Sequence, residues 1–400
     1  MPTAARVTQN VKASPEQVFY AFTHGTALRE WLCDFATVQP RPDGRIYLAW
    51  DSGYTMSGAF TQVEPGKALG FTSLGRGEPG PTRVTVEMTP AGEMTLVTLT
   101  HGEIMSGQAW EGLEKKFVID WTENLENLAS VLETGIDLRL ARRPMLGIYL
   151  NDFDANIARQ MGVPVSEGAR LDGVVAGMGP ANAGLQKDDI LVSLGGMPLK
   201  SNESIRPAIS GKRAGDVVDV TYYRGADKQT VKMTLSARKM PEVPFDPVVL
   251  AEQVRVNYAS DYAELERCLK PVTEVQAAHR PVPGEWGVRE VLAHLIIDER
   301  DSQEFITLLT FGEELVTEGS SGNFNPRIDA LVQAYPTIAE LLALLRRTNT
   351  ETIALIAALP AEFAARKGSY YRVGYGLLQL SGHILGHLDQ IKAAVASCPG

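Results

Sequence analysis

Ser381-Gly382-His383-Ile384-Leu385-Gly386-His387 sets two histidines four residues apart in an apolar run near the C-terminal end of this 400-residue chain. Residues at i and i+4 of a helix stack on one face, with Cβ atoms roughly 5–6 Å apart. Both imidazoles can therefore reach one ion. A third histidine stands in a second apolar run, Val291-Leu292-Ala293-His294-Leu295-Ile296-Ile297, and the chain holds only six. Two ligands from one helix and one from a neighbour give a three-histidine set whose remaining coordination positions stay open. The same residues also fit hydrogen-bonded core histidines.

Working outward from these runs, the apolar spacing predicts helices over about 247–269, 287–311, 336–358 and 374–396, with a shorter piece over 328–334. The breaks are Pro281-Val282-Pro283-Gly284, the stretch Gly319-Ser320-Ser321-Gly322-Asn323-Phe324-Asn325-Pro326, and a looser region around Lys367-Gly368-Ser369. Four such helices make a bundle, and bundles build metal sites from side chains on facing helices. Zn²⁺ and Ni²⁺ both suit imidazole. Asp298, one turn after His294, is a candidate second carboxylate that would orient that ring; a solvated helix face is the alternative. His279 falls in a loop-like stretch, and no general base can be named from spacing.

Upstream, two breaks divide the chain. One is Leu140-Ala141-Arg142-Arg143-Pro144. The other is Lys239-Met240-Pro241-Glu242-Val243-Pro244-Phe245-Asp246-Pro247, whose prolines read as a semi-rigid extended linker. Three domains are expected, at 1–140, 145–238 and 246–398, as the length also suggests. The formal net charge is −10: residues 1–143 hold 13 basic and 17 acidic side chains, 144–240 hold 12 and 10, and 241–400 hold 13 and 21. No segment is strongly basic, so nucleic acid is not an expected partner. No apolar run approaches the ~18–20 residues that span a bilayer, and the opening residues lack a signal-peptide core. Cys33, Cys268 and Cys398 form no CxxC pair, which points to the reducing cytoplasm.

The first segment opens on a strand-like Arg6–Val11, followed by Ser14-Pro15-Glu16-Gln17, an N-cap serine with proline at the first helical position. Alternating runs at Arg45–Trp50, Ala68–Phe71, Arg83–Met88 and Thr95–Thr100 suggest an antiparallel meander. A long helix then carries Trp110, Leu113, Phe117, Trp121, Leu125, Leu128 and Leu132 on one stripe. This order, with Ser14-Pro15-Glu16-Gln17-Val18-Phe19 and Trp121-Thr122-Glu123-Asn124-Leu125-Glu126-Asn127-Leu128, resembles the START-like (SRPBCC) superfamily, in the branch related to activators of chaperone ATPases. The resemblance implies a helix-grip α+β fold and a small hydrophobic ligand held between sheet and helix. Trp110, Phe117 and Trp121 are the cavity candidates, with plain core packing as the other role for them.

The second segment carries Leu146-Gly147-Ile148-Tyr149-Leu150, then Gly179-Pro180-Ala181-Asn182-Ala183-Gly184-Leu185, Asp188-Asp189-Ile190 and Gly195-Gly196, with closing strands at Val217–Tyr222 and Gln229–Leu235. Its order resembles a PDZ domain of the bacterial protease-associated type, a small β-barrel-like module. The resemblance implies that an extended peptide or protein C-terminus adds to a sheet edge. Leu146, Gly147 and Ile148 would form the carboxylate loop, and Ile205 and Ile209 the side-chain pocket. Pro207 would distort the pocket helix unless it falls in the first turn; a rigid spacer is the other reading. No Gly-x-Ser-x-Gly nucleophile accompanies the module.

The third segment, through Glu285-Trp286-Gly287-Val288-Arg289-Glu290-Val291-Leu292-Ala293-His294-Leu295 and His383-Ile384-Leu385-Gly386-His387-Leu388-Asp389-Gln390-Ile391, resembles the DinB/YfiT-like metalloprotein superfamily. The resemblance implies that His294, His383 and His387 bind a divalent metal. It also implies S-transfer from a low-molecular-weight thiol, or metal-assisted hydrolysis. Two functions stay open: a metal-dependent transferase or hydrolase with ligand-sensing and docking modules, or a non-catalytic adaptor whose bundle metal is structural or vestigial.

Overall fold

The computed structural model describes residues 2–282, 284–314 and 323–399. Pro283 and the expected break at Gly319-Ser320-Ser321-Gly322 lie outside the described residues. The fold is multidomain, with a sheet-and-helix N-terminal part, a small sheet module and a helical C-terminal part. It resolves into two compact units: residues 1–137 together with 241–400, and residues 138–240. The two ends of the chain thus share one unit, an association the sequence reading did not anticipate.

In the first unit, a seven-stranded antiparallel sheet runs in the order Thr3–Val11, Met94–Ile104, Thr82–Ala91, Ala68–Gly75, Thr55–Glu64, Arg45–Ala49, Phe35–Val38. Two of these strands, Phe35–Val38 and Thr55–Glu64, were not anticipated. Their alternation is blurred by half-buried small and polar residues, and a register shift falls between Phe60 and Gln62. Ser14 caps the helix Pro15–Thr23 through a reciprocal bond with Gln17, at 3.3 and 2.9 Å. The long grip helix is Leu113–Thr134, and Leu125, Leu128 and Val131 seal the sheet's inner face with Phe60, Phe71, Val86 and Leu99.

Four helices, Pro247–Leu269, Val288–Thr310, Ile338–Ala357 and Lys367–Ala396, pack in a closed ring, so the second and fourth are neighbours. Asp246 caps the first by accepting from the Val248 and Val249 amides at 2.8 and 3.1 Å. The fourth helix begins at Lys367 and not at 374. Gly368, Gly374 and Gly376 read in sequence as breakers, but tertiary packing overrides the propensity. A Cβ on Gly368 would lie 2.1 Å from Glu30 Oε2, and one on Gly374 would lie 2.2 Å from Val243 Cγ1. Close approach, not chain reversal, requires those two glycines. The expected linker is corrected in the same region: Val243 is buried, and Phe245 rests 5.6 Å from the Tyr370 ring. Residues 241–246 are therefore docked on the bundle and do not act as an extended spacer.

The second unit has a sheet in the order Asp227–Thr234, Val217–Arg224, Ile190–Leu194, Ala169–Val174, Ile148–Asn151, with Met197–Pro198 paired to Ile190–Leu194. The Asp188-Asp189 landmark has a physical reason. Asp188 takes a left-handed φ of 69° and pairs with Arg170, while fully buried Asp189 receives two 2.8 Å bonds from Arg224.

Candidate metal centre

The helix Val288–Thr310 buries His294 among Val291, Leu292 and Leu295, and the helix Lys367–Ala396 presents His383 and His387 from across the groove. The three rings converge on their Nε2 atoms. His383 Nε2 lies 3.1 Å from His294 Nε2 and 2.9 Å from His387 Nε2, and a candidate ligand atom from each ring falls within 4.8 Å of the others. A tetrahedral ion with Zn–N bonds of about 2.0–2.1 Å would hold such nitrogens about 3.3 Å apart.

The donor set fits a cation better than it fits hydrogen bonding alone. One ring nitrogen offers a single in-plane N–H or a single lone pair. His383 Nε2 faces two other nitrogens, so it can serve only one of them well. Burial, followed by the neighbouring charges of His387 and His294, pushes the His383 pKa down to about 4. Burial also lowers His387, against an opposing hydrogen bond from Gln390. Both are held in the neutral, ligating form at neutral pH.

The partners behind the rings were only partly legible. Gln390, which the sequence reading did not single out, accepts from His387 Nδ1 at 2.8 Å and fixes Nε2 as the free lone pair. Its signal was its place three residues after His387, on the same face. Asp298 was expected behind the His294 ring. Its Oδ2 instead lies 3.5 Å from His294 Nε2, the converging nitrogen, and 3.6 Å from His383 Nδ1. It stands between the two rings, near the converging nitrogen of one and the outer nitrogen of the other, and burial raises its pKa. Glu299 turns into the bundle toward Tyr258, at 2.9 Å, and Asp301 pairs with Arg327 at 2.6 Å. The opening, about 670 Å³, is lined by Trp286, Asn323 and Asn325 beside the histidines and Asp298. Trp286 rests 4.9 Å from the His294 ring and donates to Asn325 Oδ1 at 3.0 Å.

A second cavity, of about 360 Å³, lies between the seven-stranded sheet and the grip helix. Phe117 and Trp121 line it with Trp50, Tyr54 and His101. Trp110 does not; it packs with Ala5, Ile104 and Phe117. His101 is fixed in one tautomer. Thr82 Oγ1 donates to Ser73 O at 3.0 Å, so His101 Nε2–H donates to Thr82 at 2.7 Å, and Nδ1 accepts from Trp121 at 3.1 Å. Burial, with Lys116 nearby, lowers its pKa to about 4.

In the second unit, Ile148–Asn151 is the last strand in its sheet order, and Tyr149 is 62% exposed. Gly147 before it has a φ of 64°, and a Cβ there would meet Met178 Sδ at 2.2 Å. Leu146 and Ile205 are buried in one apolar cluster, with Ile148 and Ile209 packed on it. Pro207 falls in the first turn of Ile205–Ala208, where its missing N–H costs no helical bond. The helix is a single turn, so this wall of the groove is short.

Among the described residues, no single helix is long and apolar enough to cross a membrane. Cys33, Cys268 and Cys398 form no disulfide.

Three family models match in order along the chain: Activator of Hsp90 ATPase homolog 1-like protein over residues 12–133, PDZ domain over 135–235, and DinB superfamily over 258–391. Curated relatives include the periplasmic pH-dependent serine endoprotease DegQ of Escherichia coli K12, 34% identical over 100 residues, covering 25% of this chain and 22% of that protein. The serine protease Do-like HtrA of Lactococcus lactis subsp. cremoris is 31% identical over 120 residues, covering 29% of each. The chain thus spans less than a third of the length of these relatives. Among solved structures, the Aha1 dimer from Colwellia psychrerythraea is 19% identical, with 33% of this chain and 96% of that one covered and a TM-score of 0.30. An Hsp90 activator from Plasmodium falciparum is 25% identical, with 32% and 95% covered and a TM-score of 0.29. The order of the three family matches identifies the chain as a fusion of a START-like domain of the Hsp90-ATPase-activator type, a PDZ domain and a DinB-superfamily domain.

Proposed function

We propose that the DinB-type domain is a metal-dependent transferase or hydrolase that holds one divalent ion, Zn²⁺ or Ni²⁺, through His294, His383 and His387. The observation that carries this reading is the convergence of three Nε2 atoms, with His383 Nε2 within 3.1 Å of both others. When bound, such an ion supplies Lewis acidity that lowers the pKa of a thiol or water. The chain's own residues supply the rest. Asp298 Oδ2 stands 3.5 Å from His294 Nε2 and 3.6 Å from His383 Nδ1, and takes up the proton of the incoming nucleophile. Trp286 covers the His294 ring and restricts water on that side. Asn323 and Asn325 offer polar contacts at the mouth for a substrate carbonyl or a low-molecular-weight thiol.

The other domains have roles in keeping with their families. The edge strand Ile148–Asn151 accepts an extended peptide by strand addition, with Leu146, Gly147 and Ile148 as the carboxylate loop. The cavity walled by Phe117 and Trp121 takes a small hydrophobic ligand. The cysteines without disulfides suit the cytoplasm, although relatives such as DegQ are named as periplasmic.

The test is thiol conjugation to an electrophile, and ester hydrolysis, with and without chelator, on wild-type protein and Asp298→Asn. Activity that chelation abolishes and that Asp298→Asn reduces, about 10²–10⁴-fold for a lost acid–base group, supports the enzyme. Glu299 and Asp301 turn away from the centre, which leaves Asp298 as the one carboxylate there among the described residues and favours, as a second reading, a peptide-recruiting adaptor. Indifference to chelation would select that reading.

A further inference from the structure

The unit formed by residues 1–137 and 241–400 contains another cavity of about 360 Å³, where the helices Pro15–Thr23, Gly25–Trp31 and Leu113–Thr134 meet the start of the fourth bundle helix. It is separate from the histidine centre and from the cavity under the grip helix, and shares no residue with the histidine centre. Its walls are mostly carbon, from Tyr20, Ala27, Val131, Leu132 and Ala365. Charged side chains interrupt them, and Glu30 is the buried carboxylate among these. Glu30 is 8% exposed, lines the cavity, and among the described residues has a single hydrogen-bond partner, the Ser369 hydroxyl on Oε1. Its Oε2 lies against Gly368, where any side chain would collide with it at 2.1 Å. Burial raises the Glu30 pKa to about 7, so near neutrality the group is poised to hold or release its proton. A buried carboxylate with one hydrogen bond is an acceptor short of donors.

We propose that this cavity binds a small organic cation, a primary ammonium carried on an apolar or aromatic body, with the ammonium on Glu30 and the body against Tyr20, Val131 and Leu132. Glu30 is short of donors, which favours an ammonium over an anion: Arg372 and Arg366 act on it through their charge alone, while Arg366 donates to the Tyr20 hydroxyl at 3.1 Å and Thr310 O at 2.6 Å, and Lys367 to Glu133 O at 2.7 Å. Glu16 and Glu362 add two further carboxylates to the lining. The volume is at the lower end of the ~300–1,000 Å³ of small-molecule sites, suited to one ring and a short chain. A ligand seated there touches both the START-type helices and the bundle, and clamps them together.

Calorimetric titration of the full chain tests this with phenethylamine, 2-phenylethanol and 3-phenylpropionate as cationic, neutral and anionic probes. The expected result is saturable phenethylamine binding at least about tenfold tighter than either other probe, with that preference lost in Glu30→Gln. Ala365→Trp, which fills the mouth from an exposed position, should abolish binding and keeps the test intact should Glu30→Gln fold poorly. Equal affinity for the neutral probe, undiminished amine binding in Glu30→Gln or Ala365→Trp, or no saturable amine binding would overturn the proposal.

Discussion

The fourth bundle helix carries two buried polar constellations, and they are built on opposite principles. Near its start, Arg372 and Arg29 both pair with Glu314, the latter at 2.7 Å, Ser369 bonds Glu30, and Lys367 donates to Glu133 O. Charges there are largely balanced within the chain, apart from Glu30 with its single hydrogen bond, and they join the START-type domain to the bundle. Four turns further along, His383 and His387 meet His294, with three nitrogens of like character and one carboxylate facing them. Among the described residues that line the opening, none supplies the positive centre that this arrangement suits. A polar cluster that satisfies itself holds the fold, and one that converges without a centre points to a ligand.

The sharpest way to break the contrast is to unbalance the first cluster. Glu314→Ala leaves Arg29 and Arg372 without their shared partner. It should destabilise the chain by about 3–5 kcal/mol, as for a broken buried ion pair, read from urea unfolding, with metal retention in the still-folded protein unchanged. A loss below about 1 kcal/mol would make the joint a loose contact.

Glu30 sharpens the same side through pH. Its folded pKa of about 7 lies above the ordinary value of 4.5, so its contribution is fully present below about pH 4.5 and is lost as pH rises through 7. Burial drives the shift; Arg372, Arg366 and Ser369 oppose it and Glu314 adds to it. Glu30→Gln should therefore gain on the wild type from pH 5 to pH 8, by up to about 3 kcal/mol from the size of that shift. A difference flat across that range would contradict the placement of Glu30. Gly368→Ala probes the close approach. With a Cβ 2.1 Å from Glu30 Oε2 and 2.8 Å from Val131 Cγ1, it should cost about 1–3 kcal/mol, where a solvent-facing helical glycine would gain stability from the same change.

On the other side, Gln390→Ala should weaken metal affinity about 10–100-fold by freeing the His387 ring, while leaving the melting of metal-free protein nearly unchanged. An unchanged affinity would remove Gln390 from the centre.

The two constellations also differ in how far the sequence disclosed them. His383 and His387 are four apart on one helix, so helical periodicity puts them on one face, while the pairing with His294 in a second apolar run was what the DinB-like resemblance implied. Asp298 was legible as a neighbour but not in its orientation, because one turn of helix does not say which ring nitrogen a carboxylate meets. The joint was not legible. Glu30 and Ser369 are 339 residues apart, and each looks like an ordinary surface residue. Gly368 and Gly374 carried the only hint, and a glycine that permits close packing is written the same way as one that ends a helix. The edge strand Phe35–Val38 escaped for a related reason, since four residues with half-buried alternation give too weak a period to read.

The central claim is that the three histidines form one metal centre. Elemental analysis of protein loaded with Zn²⁺ or Ni²⁺ and then dialysed tests it directly, on the wild type and on His294→Ala, His383→Ala and His387→Ala. The account predicts close to one ion per chain in the wild type and loss of that ion in each variant that remains folded. A wild type without near-stoichiometric metal, or variants that retain it unchanged, would contradict the account.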